Sequence, residues 1–263
     1  PEREYSHLVN ALGGEIINIS ATSNNHINAM DMNKDYGDGA NPVILKSEFI
    51  MSLCEQLIGG TNLGAKQKSI IDRCVALVLQ DQKKTRKVPT LCTLREKLLE
   101  QPEQEARDLA LTMELYTSGS LNIFAHETNV DTKNRIQSYD IHDLGEELKQ
   151  PGFVTITDAM INRVNYNWAH GKKTHIFVDE FHIAYENEYS GNFFTSAWRQ
   201  FRKRNAYPTA ITQNVEYLLD SVQASTMLSN SEFVIMLNQA ASDREKLARL
   251  LNISNEQMSY ITN

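Results

Sequence analysis

The sequence has few cysteines, and they are spaced too widely to suggest a disulfide framework. Cys54, Cys74 and Cys92 form no C-x-x-C pair and have no cysteine–histidine cluster beside them. Disulfide-stapled secreted domains and structural zinc sites both need closer groups of cysteines. We therefore expect three reduced thiols in a cytoplasmic protein, with a zinc site as the less favoured alternative.

Long hydrophobic runs and an excess of positive charge are also missing. No apolar stretch approaches the roughly 18 residues that span a bilayer. The net charge of −7 argues against a generally basic nucleic-acid-binding surface but leaves a local basic patch open. A chain of 263 residues, 41% of them hydrophobic, suffices for one large domain or one domain with a substantial insertion.

The chain also lacks a phosphate-binding loop of the pattern G-x-x-x-x-G-K-[ST]. GGTNLGAKQKS, residues 59–69, comes near it, but Ala65 occupies the lysine position and Gln67 follows Lys66. The loop needs a lysine directly after its glycine and a hydroxyl for the metal. A helix, not a strand, is predicted before this stretch, so we interpret it as a turn between two helices.

The order of the elements predicts an α/β fold that a helical segment interrupts. Strands are predicted over 13–19, 135–141, 174–179, 208–213 and 232–238. Helices are predicted over 43–58, 65–79, 89–100, 104–116, 151–169, 193–205, 215–219 and 242–251. Alternating strands and helices imply a mainly parallel sheet covered on both faces. We expect core segments 1–42 and 131–263, with an all-α insertion at 43–130.

Two adjacent carboxylates follow the strand in HIFVDEFH, residues 175–182. Asp179 and Glu180 are predicted at the carboxyl end of a parallel strand, where ligands bind in open α/β sheets. One interpretation is a Walker B element, in which Asp179 holds the water shell of Mg²⁺ and Glu180 activates a water for attack on a γ-phosphate. The alternative is an Asp that caps the next turn beside a solvated Glu.

The next predicted strand, in PTAITQNVE, also ends in polar residues. Gln213 follows Asp179 by 34 positions (213 − 179), and its amide can hydrogen-bond both a phosphate oxygen and the attacking water. The alternative is a polar residue that begins a helix. The combination of the acid pair with Gln213 favours a nucleotide site more than either motif alone.

A cluster of cations lies between these two motifs, at the end of the helix predicted over 193–205. Arg199, Arg202, Lys203 and Arg204 are four cations within six residues. They complement the helix dipole, or one of them reaches the nucleotide of a neighbouring subunit. Arg244, in ASDREKLARLL, is a second candidate for this trans-acting role.

The combination of motifs resembles a known family over essentially the whole chain. It resembles the C-terminal ATPase domain of the VirB/Tra-type motor of conjugative type IV secretion systems, within the HerA/FtsK superfamily of RecA-like ATPases. The matching segments, in chain order, are PEREY, GGEIINI, HINAMDM, FAHETNVD, RIQSYDIHDLGEEL, HIFVDEFH, WRQFRKRNAYPTAITQN and SDREKLARLL.

The resemblance implies a RecA-like P-loop NTPase core that uses ATP and Mg²⁺. Asp179 and Glu180 would be its Walker B pair, Gln213 its sensor, and Glu4, or less securely Glu2, an acid near the nucleotide. The Walker A segment would precede Pro1, since the chain begins without an initiator Met. The fragment alone is then expected to be inactive.

The resemblance also implies partners and a location. The expected partners are other type IV secretion channel components and the coupling protein, at the cytoplasmic face of the cell membrane. We expect a homo-oligomer, a hexamer first, with a dimer or monomer in isolation as alternatives. Contact with DNA and peripheral membrane association stay open.

Two other functions remain open at this point. One is a DNA translocase of the FtsK or coupling-protein type, although no strong basic groove is visible in the sequence. The other is a docking module that binds channel components and has lost catalysis, as the missing phosphate-binding loop would allow.

Overall fold

The polypeptide alternates between strands and helices, with a helical segment after the first strand; helix α1 at its start was not predicted. The computed structural model describes residues 4–36, 41–59, 62–185, 188–213, 222–229, 231–237 and 241–261. The helices are α1 (Glu4–Ala11), α2 (Pro42–Leu57), α3 (Ala65–Thr85), α4 (Leu91–Leu99), α5 (Gln104–Thr112), α6 (Glu114–Thr117), α7 (Glu146–Ala169), α8 (Glu188–Lys203), α9 (Val222–Ser229), α10 (Ala241–Leu251) and α11 (Asn255–Met258). The strands are β1 (Glu15–Asn18), β2 (Gln137–Asp140), β3 (Thr174–Val178) and β4 (Ala206–Ala210).

The strands form two parallel pairs. β1 pairs with β2 from Glu15 opposite Gln137, and β3 pairs with β4 from Thr174 opposite Ala206. Within the described ranges no ladder joins the two pairs, so the expected single sheet is seen as two sheets of two strands. The parallel orientation is as predicted.

Several element boundaries differ from the sequence prediction. The strand expected at 208–213 is β4, Ala206–Ala210. The helix expected from Pro151 begins at Glu146, because Gly145, with a φ of 74°, caps a first turn that holds the acidic Glu146 and Glu147. The helix expected at 215–219 lies outside the described residues.

The strand predicted over 232–238 is wrong for residues 232–237, which form no strand, and residue 238 lies outside the described residues. Phe233 is 87% exposed and Ile235 is 89% exposed. The apolar run satisfies strand propensity, but a strand needs a neighbouring strand to bond its backbone, and no described strand pairs with this stretch.

Two hydrophobic cores organise the molecule. The first contains side chains of β1, helices α2 to α5 and the N-terminal part of α7, so the inserted helices share a core with β1. The second lies between β3, β4, α8 and α7. Val154 belongs to the first core and Val164 to the second, so α7 runs through both.

The two chain segments that lead into and out of the helical insertion run side by side. The Asn28 N–H donates to Thr128 Oγ1 at 2.9 Å, and the Thr128 hydroxyl donates to Asp31 Oδ2 at 2.6 Å. The rings of His26 and His126 lie 4.3 Å apart. These contacts explain the polar character of HINAMDM and FAHETNVD, because each segment satisfies the other's hydrogen-bonding groups.

A buried polar triad lies where the two cores meet. Lys46 Nζ of α2 lies 2.6 Å from Asp158 Oδ2 of α7, and the Tyr36 hydroxyl donates to Asp158 Oδ1. Burial lowers the pKa of Lys46 and raises the pKa of Asp158, since the interior disfavours both charges, while each partner opposes the shift of the other. The triad ties the helical insertion to α7.

Two further expectations concern the thiols and membrane spans. All three cysteines are free thiols, as predicted. No helix in the part of the chain that the structure describes is long and apolar enough to cross a membrane.

Candidate functional site

The acid pair lies directly after β3. Ile176 and Val178 point into the second core, and the chain leaves the strand at Asp179. A 3₁₀ turn over Phe181–Tyr185 follows, in which buried Phe181 fixes the backbone after Glu180. The core packing on both sides therefore holds the two carboxylates at the carboxyl end of the strand.

The chain leaves the adjacent strand, β4, at the same end, and Gln213 follows shortly after it. The Ile211 N–H donates to the Val178 carbonyl at 2.8 Å, and the Phe181 N–H donates to the Ile211 carbonyl at 2.9 Å. These two bonds continue the β3–β4 pairing past both strands, so segments 178–181 and 211–213 are neighbours. Gln213 itself is exposed. Its role as a sensor stays a prediction.

Asp179 is oriented by two hydrogen bonds. Its Oδ1 accepts the N–H of Glu180 at 2.9 Å, and its Oδ2 accepts the hydroxyl of Tyr5 at 3.2 Å. Tyr5 belongs to α1, 174 positions earlier in the chain. Sequence analysis missed this residue, although it belongs to the PEREY segment, since nothing local links a helical tyrosine to a distant carboxylate.

Glu180 has an unusual backbone conformation. Its φ is 48°, in the left-handed region that non-glycine residues seldom occupy and that concentrates at functional sites. Its Oε2 lies 3.3 Å from Nδ1 of His182, and its side chain is 31% exposed. The carboxylate is therefore held near the solvent, where it can accept a proton from a bound water. His182 was also missed by the sequence analysis.

The acid pair offers the type of ligand that Mg²⁺ uses in proteins. Across the described ranges no group of three metal-binding side chains occurs. Mg²⁺ usually keeps several waters and binds one or two carboxylates together with substrate phosphates. A single oriented carboxylate at Asp179 matches this type of donor set.

The candidate arginines differ in their exposure. Arg202 is 74% exposed at its side chain, with Nη2 3.9 Å from Glu232 Oε1. Arg204 is only 8% exposed, and its Nη1 donates to Gln200 Oε1 at 2.8 Å. Arg244 on α10 is half-buried. Arg202 is therefore the one of the three that best suits a contact with a neighbouring subunit.

The amphipathic pattern of α8 explains why two of its arginines are exposed. Phe194, Ala197 and Phe201 are buried in the second core, as the helical spacing predicts. Arg199 and Arg202 lie on the exposed side of the helix.

The proposed acids at the N-terminus are only partly described. Glu4 begins α1, but its side chain lies outside the described part of the structure, and so does Glu2. Their predicted proximity to a nucleotide stays a prediction. Tyr5, the neighbour of Glu4, does contact the acid pair through Asp179.

One face of the β3–β4 pair is uncovered by the described residues. Phe177 is 68% exposed and Tyr207 is 45% exposed, and the Tyr207 ring stacks on His175 at 5.1 Å.

The outer edge of β4 is the side that points away from β3. The register turns the backbone groups of residues 206, 208 and 210 toward this edge. Pro208, which has no N–H, therefore lies where a proline in a sheet is usually found.

The comparisons with known proteins give a fold but no family. No family model matches the sequence, and no curated protein matches it. The structure is similar to a solved structure titled VirB4 of Thermoanaerobacter pseudethanolicus, with a TM-score of 0.81 and 19% identity over 100% of this chain and 74% of that one. At this identity the likeness shows a shared fold: the chain has the mixed α/β fold of that VirB4 structure.

Proposed function

We propose that this chain is the catalytic part of an ATPase that drives a conjugative type IV secretion system. The observation that carries the proposal is the acid pair Asp179–Glu180 beside Gln213 at one end of two parallel strands, in a chain with the fold of a VirB4 structure. A RecA-like NTPase core uses this end of its sheet for ATP. The partners are the other channel components and the coupling protein, at the cytoplasmic face of the membrane.

The residues of this chain have separate tasks in the proposed reaction. Asp179, oriented by Tyr5, holds the water shell of Mg²⁺, which neutralises phosphate charge when ATP is bound. Glu180 takes the proton of the attacking water, and Gln213 hydrogen-bonds that water and the phosphate. Arg202, exposed on α8, stabilises the phosphate charge of a neighbouring subunit in a homo-oligomer, with a hexamer the expected form.

We infer that the phosphate-binding loop of this site connects at the outer edge of β4. Among the described residues no strand pairs with the outer edge of β4, and apolar residues 233–237 lie outside any described strand. We propose that one further parallel strand pairs with β4 and carries the loop at its carboxyl end.

The substitution Glu180→Gln tests the proposed reaction in the full-length polypeptide that carries the loop. Loss of the base is expected to lower the ATPase rate by about 10²–10⁴-fold while ATP affinity is retained. Steady-state phosphate release and binding of a fluorescent ATP analogue provide the two measurements. Glu127→Gln, on an exposed loop, is the charge-matched control and should leave both unchanged. Retained hydrolysis in Glu180→Gln would refute the assignment.

The trans-acting role of Arg202 has its own test. Arg202→Ala is expected to abolish the rise of specific ATPase activity with protein concentration, because the site then lacks its neighbour's arginine. Arg199→Ala, at an exposed position on the same helix, is the control. An unchanged concentration dependence in Arg202→Ala would remove this residue from the site.

A further inference from the structure

His182 lies two positions after the proposed base Glu180, and its ring approaches the Glu180 carboxylate. Its Nδ1 lies 3.3 Å from Glu180 Oε2, and its side chain is 19% exposed, so most of the ring is packed against protein. The two groups are in close contact without the alignment of a strong hydrogen bond. Hydrogen bonds at active sites are often long or poorly aligned before substrate binds, and they tighten when it does.

The 3₁₀ turn that carries this histidine is fixed by three hydrogen bonds. The Phe181 N–H donates to the Ile211 carbonyl beyond β4 at 2.9 Å. The Ile183 N–H donates to the Glu180 carbonyl at 3.0 Å, which closes the turn. The side-chain amide of Gln150, on α7, donates to the Ile183 carbonyl at 3.2 Å. A left-handed residue such as Glu180 persists where its surroundings fix it, and these bonds do so. The backbone therefore determines where the histidine ring and the carboxylate meet.

The contact separates the two oxygens of the Glu180 carboxylate. Oε2 is the oxygen close to His182, whereas Oε1 has no hydrogen bond or ion pair within the described ranges. A general base needs an oxygen that can accept the proton and an orientation that brings it to the water. In many catalytic sites a third group that bonds the base supplies this orientation. His182 is placed to be that group.

We propose that His182 is a positioning residue, which holds Oε2 of Glu180 so that Oε1 is directed at the attacking water. The inference rests on the proposed function, in which Glu180 is the base of ATP hydrolysis. His182 then acts through Glu180 and takes no part in binding the nucleotide. Its loss should therefore lower kcat and leave KM for ATP nearly unchanged.

Substitutions at His182 test this role in the same polypeptide as Glu180→Gln. His182→Ala is expected to lower kcat by about 10–10²-fold, because a misplaced base costs rate rather than affinity. His182→Asn should restore most of the rate, since its amide nitrogen lies near the position of Nδ1. His182→Gln, whose amide lies one methylene further out, should restore little. Phosphate release at a series of ATP concentrations gives both kcat and KM.

A double mutant shows whether the effect passes through the base. Adding His182→Ala to Glu180→Gln should not lower the residual rate further, since the effects of residues that act as a unit are not additive. His170→Ala, at an exposed histidine before the amino end of β3, is the matched control and should retain the rate. The melting temperatures of the variants and their affinity for a fluorescent ATP analogue verify that the fold and the nucleotide site are intact.

Four outcomes overturn the proposal. They are an unchanged kcat in His182→Ala, a further loss of rate when His182→Ala is added to Glu180→Gln, a His182→Asn variant no faster than His182→Gln, and a loss of nucleotide affinity that matches the loss of rate. If the unsubstituted polypeptide hydrolyses no ATP, the proposed function fails and this inference fails with it. Hydrolysis that His182→Ala leaves unaffected refutes the positioning role alone.

Discussion

At the scale of single residues, the contact between Tyr5 and Asp179 connects the first helix to the acid pair. The hydroxyl donates to a carboxylate that the proposed function assigns to Mg²⁺. A hydrogen bond to a charged group contributes about 1.5–3 kcal/mol when both groups are buried. Tyr5 is 41% exposed, so its contribution should be smaller.

We predict that Tyr5→Phe raises the Mg²⁺ concentration needed for half-maximal ATPase activity severalfold and leaves the maximal rate nearly unchanged. The reason is that Asp179 loses one of the two donors that orient it. Magnesium titration of the proposed ATPase activity measures the effect, with Tyr260→Phe at an exposed position as the control. An unchanged or lower magnesium requirement would contradict an orienting role.

The Lys46–Asp158 pair is a second case at the residue scale, because its burial determines how much a substitution lowers the stability. Asp158→Asn leaves the fully buried Lys46 ammonium without its carboxylate, which costs about 3–5 kcal/mol of unfolding free energy. Replacing both partners, in Lys46→Met with Asp158→Leu, should recover much of that loss. Urea unfolding followed by circular dichroism measures both.

An exposed pair provides the comparison for this prediction. Lys66 and Glu105 lie 2.8 Å apart with Lys66 82% exposed, so Lys66→Gln should leave the stability nearly unchanged. Equal effects of Asp158→Asn and Lys66→Gln would mean that burial of the first pair is not maintained in solution.

At the scale of elements, two adjacent glycines join α1 to β1 for different reasons. Gly13 has a φ of 68°, and a Cβ there would meet nothing within 4 Å. A Cβ at Gly14 would come within 2.7 Å of Val9 Cγ1 and 2.9 Å of Ile136 Cγ2. β-branched side chains are stiff at χ1, so Val9 and Ile136 cannot easily move aside.

These differences predict different costs for the same substitution. Gly13→Ala should lower the unfolding free energy by about 1–2 kcal/mol through backbone strain alone. Gly14→Ala should lower it by about 1–3 kcal/mol through overpacking and should also shift α1. Chemical denaturation measures stability, and the fluorescence of a probe on α1 reports the shift. A shift with Gly13→Ala but not with Gly14→Ala would reverse the assignment.

The elements also show how far sequence patterns reach. Helical periodicity located α2 to α5, and the breaker residues correctly separated them, because capping and apolar spacing are local properties. The apolar stretch 232–238 was predicted as a strand for the same local reason. The prediction is wrong over 232–237 because strand formation depends on a partner strand, which local patterns do not contain.

At the scale of the whole molecule, we expect buried ionisable groups to lower the stability at high pH. Burial raises the pKa of Cys54 from 9.0, and of Tyr139 and Tyr185 from 10.0, to about 12 each. A group with a raised folded pKa contributes stability below its unfolded pKa and loses it as the pH rises toward the folded pKa.

We therefore predict that the unfolding free energy falls between about pH 9 and pH 12. Each group contributes a slope of about 1.4 kcal/mol per pH unit within its own window. Urea unfolding at several alkaline pH values measures the slope. Tyr139→Phe should make the slope shallower above pH 10, and an unaltered slope would show that Tyr139 does not titrate in this way.

Much of the candidate site was predictable from the sequence, but its supporting contacts were not. The acid pair and Gln213 were recognisable because each follows an apolar run that reads as a strand, and parallel strands end at a common edge. Tyr5 and His182 had no such signal. The burial of Arg204 was also not predictable. Its neighbours Arg202 and Lys203 are cations as well but are exposed, so tertiary packing decided which of the three side chains is buried.

The sequence by itself determined the alternation of strands and helices, the run of helices between β1 and β2 and the acid pair at a strand end, because these follow from interactions between near neighbours in the chain. Only the tertiary structure decided that Tyr5 meets Asp179, that Lys46 pairs with Asp158 and that the inserted helices share a core with β1. The first two contacts join residues 174 and 112 positions apart, and all three depend on which surfaces pack together when the whole chain folds.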